Sequence, residues 1–154
     1  MTTSEASIKP VRLTRKDFSL FIPMTMRLRD NDSYGHMNNA VYNEYFDTAV
    51  NQILIERGIL DMRAGDIIGL VVHTGTSYFK AVAFPERVTV GIRVGRLGRT
   101  SVRYELALFR EDDDDAAAQC DFTHAYVDRS SNTPQTLPPS MRQALAPLLP
   151  GTAV

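Results

Sequence analysis

The sequence predicts an α+β domain in which an antiparallel five-stranded sheet wraps around one long central helix. Three observations support this fold class: one strong helical pattern, several segments that alternate in character along the chain, and short turn-like connections between the later ones. With 154 residues, 44% of them hydrophobic, the chain can build one such core and is too short for two ordinary ones.

The ends of the chain are expected to lie outside the domain proper. Residues 1–17 are polar and have no sustained period, which predicts an N-terminal tail. The domain is expected over 18–130. Residues 131–154 are predicted to form a C-terminal extension, polar and proline-containing at first, with a short helix from Pro139 to Leu149.

The segment 40–57 has the clearest helical pattern in the chain. Asn38 or Asn39 can cap its start, and Gly58 stands where a glycine commonly ends a helix. Apolar residues recur there at intervals of three and four, the spacing of one helical face: Val41, Tyr45, Phe46, Ala49, Val50, Ile53 and Leu54.

One predicted strand precedes this helix and four follow it. The segments are 18–28, 67–81, 87–97, 101–110 and 117–128. Pro23 is acceptable in the first strand near its start or at a sheet edge. A tight glycine turn at 97–100 and an acidic loop at 111–115 connect successive strands, which favours antiparallel pairing.

Composition excludes several classes of function. A net charge of −1 provides no field that would attract nucleic acid or an anionic membrane. Cys120, the single cysteine, excludes an internal disulfide and fits a reducing compartment. Residues 1–10 lack the apolar run of a signal peptide, and no segment has the apolar length of a membrane span. We therefore expect a soluble, cytoplasmic protein.

The loop at 30–39, between the first strand and the helix, concentrates chemically useful residues. Asp30 and Asp32 lie just before a helix start, whose free N–H groups form a positive pole. A carboxylate there could attack a carbonyl or activate water, while an N–H stabilises the developing oxyanion. Gly35 permits close backbone approach or a positive φ.

The polar side chains that follow could support the same chemistry. His36 could orient a carboxylate or a water molecule, and Asn38 and Asn39 could donate amide hydrogen bonds. The spacing alone favours an ordinary helix-capping loop over a catalytic one, although it leaves both interpretations open.

The residue pattern from Asp30 to Phe46 resembles a family signature. It reads Asp-x-Asp-x-x-Gly-His-x-Asn-Asn-x-x-Tyr-x-x-Tyr-Phe. This is similar to the signature of the hotdog-fold acyl-CoA thioesterases, specifically the 4-hydroxybenzoyl-CoA thioesterase-like family. The resemblance covers about residues 18–130, and the order of elements agrees with the hotdog fold.

By this resemblance, Asp32 matches the family's active-site carboxylate, which acts as nucleophile or general base on the thioester. Asn39 falls where a backbone N–H at the helix start polarises the thioester carbonyl, and His36 is a supporting site residue. The 4-hydroxybenzoyl enzymes replace His36 and the paired asparagines, so the resemblance favours a general acyl-CoA over an aromatic one. It also implies a homodimer, or a homotetramer built as a dimer of dimers, with sites at the subunit interface.

Phosphate groups of coenzyme A require cations or loop N–H groups. Arg99, Thr100, Ser101 and Gly98 form a basic glycine turn that in the resembling family lies near the nucleotide end of CoA; Arg96 is a weaker candidate. The alternative is a solvated hairpin whose charges serve solubility.

Two histidines outside the loop have structural alternatives. His73, in a predicted strand, lines the acyl pocket or is a satisfied strand histidine, and His124 is expected to be structural. Tyr42, Tyr78 and Phe79 are expected in the core or an interface, where some of them could shape the acyl tunnel. Scattered histidines and a single cysteine predict no metal site, and we expect no cofactor.

The leading hypothesis is an acyl-CoA thioesterase that hydrolyses its substrate to a free carboxylic acid and CoA. Two alternatives remain at this stage. One is a hotdog-fold enoyl-CoA hydratase or dehydratase, which also uses an Asp/His pair near the helix, and the other is a non-catalytic acyl-CoA-binding module.

Overall fold

The computed structural model describes residues 10–151. They form a five-stranded antiparallel sheet in the order β1-β3-β4-β5-β2, with one long helix packed on its inner face. The elements are β1 Leu20–Met24, α1 Asn39–Glu56, β2 Ile67–Tyr78, β3 Val88–Leu97, β4 Ser101–Arg110, β5 Ala118–Asp128 and α2 Pro139–Leu145. The predicted fold class is confirmed.

Two predicted strands extend beyond the observed ones by more than one residue. β1 ends at Met24 because a single 3₁₀ turn, Leu28–Asp30, occupies the end of the predicted segment. β2 ends at Tyr78 because the next two amides, of Phe79 and Lys80, both donate to the carbonyl of Ala117, at 2.8 and 3.1 Å, outside the regular ladder.

Helix α1 buries one apolar face against the sheet. Its buried residues are Tyr42, Tyr45, Phe46, Ala49, Val50, Ile53 and Leu54. The prediction is correct for six of them, but Tyr42 replaces Val41, which is half-buried. Each large apolar side chain removed from water contributes about 1.5 to 3 kcal/mol, so this face holds the helix against the sheet.

The outer face of the sheet is covered in part by the segment that precedes β1. Phe18 packs edge-to-face on Phe109 at 5.8 Å between ring centroids. The Arg15 guanidinium donates to the carbonyl oxygens of Asp113 and Glu111, at 2.8 and 2.7 Å. Residues 10–17 of the predicted tail therefore lie on the domain, while 1–9 fall outside the described residues.

Strand β2 lies at one edge of the sheet and pairs only with β5 among the described elements. The register shifts between Val71 and His73, so Val72 forms a bulge. Four large apolar or aromatic side chains on this strand are exposed: Leu70, Val71, Val72 and Tyr78. No helix within residues 10–151 has the length and apolar character needed to cross a membrane.

His124 on β5 is buried beneath helix α1, with 2% of its surface exposed. Its Nδ1 lies 3.4 Å from the Tyr126 hydroxyl, and its Nε2 lies 4.0 Å from an Asp47 carboxylate oxygen. Burial disfavours the imidazolium and lowers the pKa of His124 from 6.5 to about 4. The folded protein therefore holds this side chain neutral at physiological pH.

We predict that His124 makes the protein less stable as the pH falls from 6.5 towards 4. Over that range the unfolded chain gains a proton on His124 that the folded chain does not bind. The contribution of neutral His124 to the free energy of unfolding is therefore complete above pH 6.5 and decreases below it. The loss approaches about 3 kcal/mol at the lower end, since one pKa unit corresponds to about 1.4 kcal/mol. Urea unfolding of the wild type and of His124→Phe across this range measures it. Equal pH slopes in the two proteins would show that His124 is not responsible.

Candidate functional site

The loop 31–37 connects the 3₁₀ turn to helix α1 at one end of the sheet. The Asp32 amide donates to the His36 carbonyl at 2.8 Å, and the Gly35 amide donates to the Asp32 carbonyl at 3.0 Å. Gly35 has a φ of +82°, a conformation that favours glycine because it has no Cβ. These bonds fold the loop into a tight turn that presents Asp32 at its start.

Asp32 is half-buried and holds its own loop in place. Its Oδ1 accepts the Tyr34 amide at 2.8 Å, as in an Asx turn. No group within residues 10–151 donates a hydrogen bond to the other carboxylate oxygen, Oδ2. One oxygen thus fixes the side chain while the other is available to a ligand.

At the start of helix α1, the Asn39 main-chain donor lacks an acceptor among residues 10–151. Asn38 is the cap: its side chain accepts the Ala40 amide and its carbonyl accepts the Val41 amide, both at 2.9 Å. The Asn38 amide itself donates to the Asp30 carbonyl at 2.9 Å. In the described part of the chain, the Asn39 amide has no acceptor. It lies at the positive end of an 18-residue helix.

Asp32, His36 and Asn39 line one cavity of about 420 Å³. Part of its wall is aromatic: the rings of Tyr42 and Tyr78 meet edge-to-face with centroids 5.1 Å apart. The structure therefore brings the three predicted catalytic residues to a single cavity beside the helix start. His36 is exposed there and forms no side-chain hydrogen bond within the described residues.

The tyrosines of this wall are neutral groups. Burial, followed by the nearby Tyr78, raises the pKa of Tyr42 to about 12. Burial also raises the pKa of Tyr78, whose hydroxyl donates to the Asn39 carbonyl at 3.3 Å. The wall offers apolar ring surface to a ligand, and the charge in the cavity comes from Asp32 and from Lys80, which also lines it.

Asp30 and Asp32 have different surroundings although only one residue separates them. Asp30 is 1% exposed and is not part of the cavity lining. Burial alone would raise the pKa of Asp30, but hydrogen bonds from Tyr45 and Arg27 outweigh it and hold that pKa below its usual range. Asp30 is therefore a buried, ionised group, whereas the Asp32 carboxylate belongs to a residue that lines the cavity.

The turn predicted to bind CoA phosphates lies at the other end of the sheet. Ser101 begins β4, and Leu108, further along that strand, is at the level of Tyr78 through its pairing with Ala118 on β5. At about 3.3 Å per residue this separates the turn from the cavity by about 23 Å along the strand. Within one chain, the structure does not bring Gly98, Arg99, Thr100 and Ser101 together with Asp32.

The same turn has a structural task in its own chain. Its carbonyl oxygens on Gly98, Arg99 and Thr100 accept hydrogen bonds from the Arg142 side chain, the Leu137 amide and the Tyr126 amide. The bonds from Arg142 and Leu137 hold the C-terminal segment against the sheet, and the bond from Tyr126 joins the turn to β5. The side chains of Arg96 and Arg99 remain partly or fully exposed.

His73 is exposed on the outer face of β2, opposite the face that carries helix α1. Val71 pairs with the buried His124 and points inwards, so strict alternation would place His73 on the inner face as well. The bulge at Val72 reverses this, and His73 pairs with Thr123 instead. Consequently His73 does not line the cavity beside Asp32 in the same chain.

The sequence does not predict that Lys80 lines the cavity, because this residue lies beyond Tyr78, the last paired residue of β2. Its side chain forms an ion pair with Asp113 at 3.0 Å. The inward alternation of Thr76 and Tyr78 is the only sequence signal that points towards it. No group of three or more metal-ligating side chains occurs within residues 10–151.

Comparison with known proteins identifies relatives of this arrangement. A family model described as the thioesterase-like superfamily matches residues 26–145. The crystal structure of the PA5185 protein from Pseudomonas aeruginosa is 48% identical, with a TM-score of 0.88, and the match covers 92% of this chain and 99% of that one. The comparison with curated protein sequences gives no match.

Two further solved structures have names that state an activity. A thioesterase from Thermus thermophilus, complexed with coenzyme A and Zn, is 26% identical over 86% of this chain and 96% of its own, with a TM-score of 0.71. The DHNA-CoA thioesterase from Staphylococcus aureus is 21% identical over 82% and 87%, with a TM-score of 0.74. At that identity the second similarity concerns the fold alone.

We predict that Asn38→Ala destabilises the protein by about 1 kcal/mol, because the Ala40 amide loses its capping acceptor. Asn38→Asp should retain most of the stability, since a carboxylate can accept the same hydrogen bond and suits the positive helix end. Urea unfolding of the three proteins at neutral pH measures both effects. An alanine variant as stable as the wild type would rule out the capping role.

Proposed function

Because the chain belongs to the thioesterase-like superfamily, we propose that it hydrolyses the thioester bond of an acyl-CoA to a carboxylic acid and free CoA. One observation carries this proposal: Asp32, with one unengaged carboxylate oxygen, and Asn39, whose amide has no acceptor in the described chain, line the same cavity at the start of α1. The crystallised relative that holds coenzyme A supports a CoA ester as substrate.

In this proposal the thioester carbonyl oxygen accepts the Asn39 N–H. The helix start stabilises the negative charge that develops on that oxygen as the carbonyl carbon becomes tetrahedral. The Oδ2 atom of Asp32 attacks the carbonyl carbon and expels the CoA thiolate, and water then hydrolyses the mixed anhydride. In the alternative route Asp32 removes a proton from water, and that water attacks directly. We propose that His36, which lines the same cavity, orients the water.

The acyl group is proposed to lie against the aromatic wall. Tyr42, Tyr78 and Phe79 provide ring surface beside Asp32. Their neutral rings favour an uncharged acyl chain over a charged one, because a buried charge without a partner is costly. The breadth of acyl groups accepted then depends on how far the cavity continues into a neighbouring subunit.

We further propose that the protein forms a homodimer through the β2 edge, or a tetramer from two such dimers. β2 has twelve residues, one unpaired edge within the described chain and four exposed large apolar or aromatic side chains. Such an edge is a template for pairing with another strand. Two identical edges related by a twofold axis pair antiparallel.

Antiparallel pairing would also bring the turn Gly98–Ser101 of one subunit to the end of the sheet where Asp32 of the other subunit lies. It reverses the direction of the second copy, so the turn Gly98–Ser101 of one subunit comes to the same end of the joined sheet as Asp32 of the other. We propose that Arg99, with the turn amides and hydroxyls of Thr100 and Ser101, then contacts the phosphates of CoA. His73 is proposed to contribute only at this interface.

We predict that Asp32→Asn lowers kcat about 10²- to 10⁴-fold, the range expected for loss of a catalytic acid or base. Asparagine keeps the Oδ1 acceptor for the Tyr34 amide, so the loop should stay folded. Asp61→Asn is the matched control, because Asp61 likewise accepts loop amides, from Arg63 and Ala64, and should leave kcat unchanged. Release of free thiol from short, medium, long and aromatic acyl-CoA esters measures the rates.

Three outcomes would overturn this assignment. Unchanged turnover in Asp32→Asn would remove its role. Hydration of an enoyl-CoA without thiol release would indicate the hydratase class. Thermal stabilisation by acyl-CoA esters without turnover across the panel would indicate a binding module.

For the interface, we predict that Val72→Lys shifts the protein from dimer to monomer at micromolar concentration. Val72 is 61% exposed at the bulge, and a lysine on each copy would place like charges at the joined edge. Sedimentation velocity measures the shift, with Val11→Lys, an exposed substitution outside β2, as the control. A wild-type protein that sediments as a monomer would contradict the proposed interface.

A further inference from the structure

We propose that Asp30 is a positioning residue for the reaction: its buried carboxylate and its main chain together fix Asp32 and the Asn39 amide relative to each other. This proposal rests on the proposed function. It concerns a residue that neither lines the cavity nor touches the substrate, and it assigns a task to the first aspartate of the pair.

The Asp30 carboxylate is almost fully occupied by donors. Its Oδ2 accepts the Arg27 amide at 2.8 Å and the Tyr45 hydroxyl, and its Oδ1 accepts the Arg27 guanidinium, at 2.9 Å from Nη2 and 3.2 Å from Nε. With 1% of the residue exposed, these bonds replace the water that an ionised carboxylate requires. The side chain is consequently fixed in one orientation.

The bond from Tyr45 ties Asp30 to the helix. Tyr45 is 4% exposed on the buried face of α1, so its hydroxyl has a fixed position, and it also lies 3.3 Å from the Thr25 carbonyl. Burial, followed by the Asp30 bond, raises the pKa of Tyr45, so the hydroxyl stays protonated and donates. Because Tyr45 is fixed on the helix, its hydrogen bond also fixes the Asp30 carboxylate relative to α1.

The main chain of Asp30 ties the other end of the loop to the same point. The Asp30 carbonyl accepts the Asn38 amide at 2.9 Å, and the Asp30 amide donates to the Arg27 carbonyl at 2.9 Å. Asp32 follows Asp30 by two residues, and Asn39 directly follows Asn38. The Asp30–Asn38 hydrogen bond therefore joins the two ends of the loop 31–37. Asp32 and the Asn39 amide, the two groups proposed to act on the substrate, lie within two residues of that bond.

Loss of this constraint should affect the reaction step more than substrate binding. A displacement of about 1 Å between a catalytic group and its target can cost about 10²-fold in rate. Binding of the CoA portion does not involve Asp30 in this proposal, so KM should change little. This split between kcat and KM separates positioning from a general loss of folded protein.

The test measures kcat and KM for Asp30→Asn and Tyr45→Phe, alone and combined with Asp32→Asn. Asparagine keeps the size of the side chain but removes its charge, and we expect kcat about 10- to 100-fold lower with KM within about 3-fold. Tyr45→Phe removes one donor, and we expect kcat about 3- to 10-fold lower. If Asp30→Asn does not fold, the milder Tyr45→Phe still tests the proposal.

Asp128→Asn is the matched control. Asp128, the last residue of β5, also has a lowered pKa, to about 2, because its carboxylate accepts hydrogen bonds from Ser130 and Ser131 in the loop that follows. That loop lies at the opposite end of the sheet from Asp32, next to the start of β2. Its variant should lose stability without losing kcat. Amide hydrogen exchange should be faster at Asn38 and Asp32 in Asp30→Asn than in the control.

The outcomes distinguish this proposal from the proposed function. A wild-type protein without thiol release would overturn both. Hydrolysis by the wild type with kcat unchanged in Asp30→Asn and Tyr45→Phe would overturn the positioning role alone. In an Asp32→Asn background, Asp30→Asn should lower kcat little further. If the two substitutions lower kcat by fully additive amounts of activation free energy, Asp30 does not act through Asp32.

Discussion

The packing of helix α1 against the inner face of the sheet is the constraint on which the rest of the molecule depends. Seven of its residues are buried there, and α1 is the only long helix in the described chain. Once this face is covered, the helix can neither rotate nor slide without exposing apolar surface. Its N-terminus therefore lies at one fixed end of the sheet, where β1 leaves and β2 ends, and the loop 31–37 must close over that point.

Burial separates the chemistry of two aspartates that the sequence places side by side. Asp30 is enclosed by Arg27 and Tyr45, so its charge is neutralised within the protein. Asp32 is half-buried and keeps one carboxylate oxygen unengaged among residues 10–151. In the reaction that we propose, the first residue fixes the geometry of the loop and the second supplies the reacting carboxylate. This division of tasks follows from accessibility, because both residues have the same side chain.

Local patterns in the sequence predict most of the fold. The three- and four-residue spacing in 40–57 correctly predicts α1. Alternation predicts four of the strands, and β-branched and aromatic composition predicts β2, because these are local properties of the sequence. The Asp32, His36 and Asn39 cluster is local as well, since one short loop carries all three.

Long-range features could not be predicted from these patterns. The position of β2 beyond β5 depends on pairing between distant segments, and it is this order that leaves the β2 edge open. The bulge at Val72 moves His73 to the outer face, and one such residue reverses every position that follows. The distance between the turn 98–101 and Asp32 likewise appears only when the strands are assembled.

The Asn39 amide provides the most direct test of the central claim, that the helix start polarises the substrate carbonyl beside Asp32. The measurement is a ¹H–¹⁵N NMR titration of the wild-type protein with a ketone analogue of an acyl-CoA, in which a methylene group replaces the sulfur. The account predicts that the Asn39 amide proton moves downfield as it gains an acceptor, and that its shift exceeds those of Ala40 and Val41, which already have acceptors. Saturation of the protein by the analogue with the Asn39 resonance unmoved would contradict it.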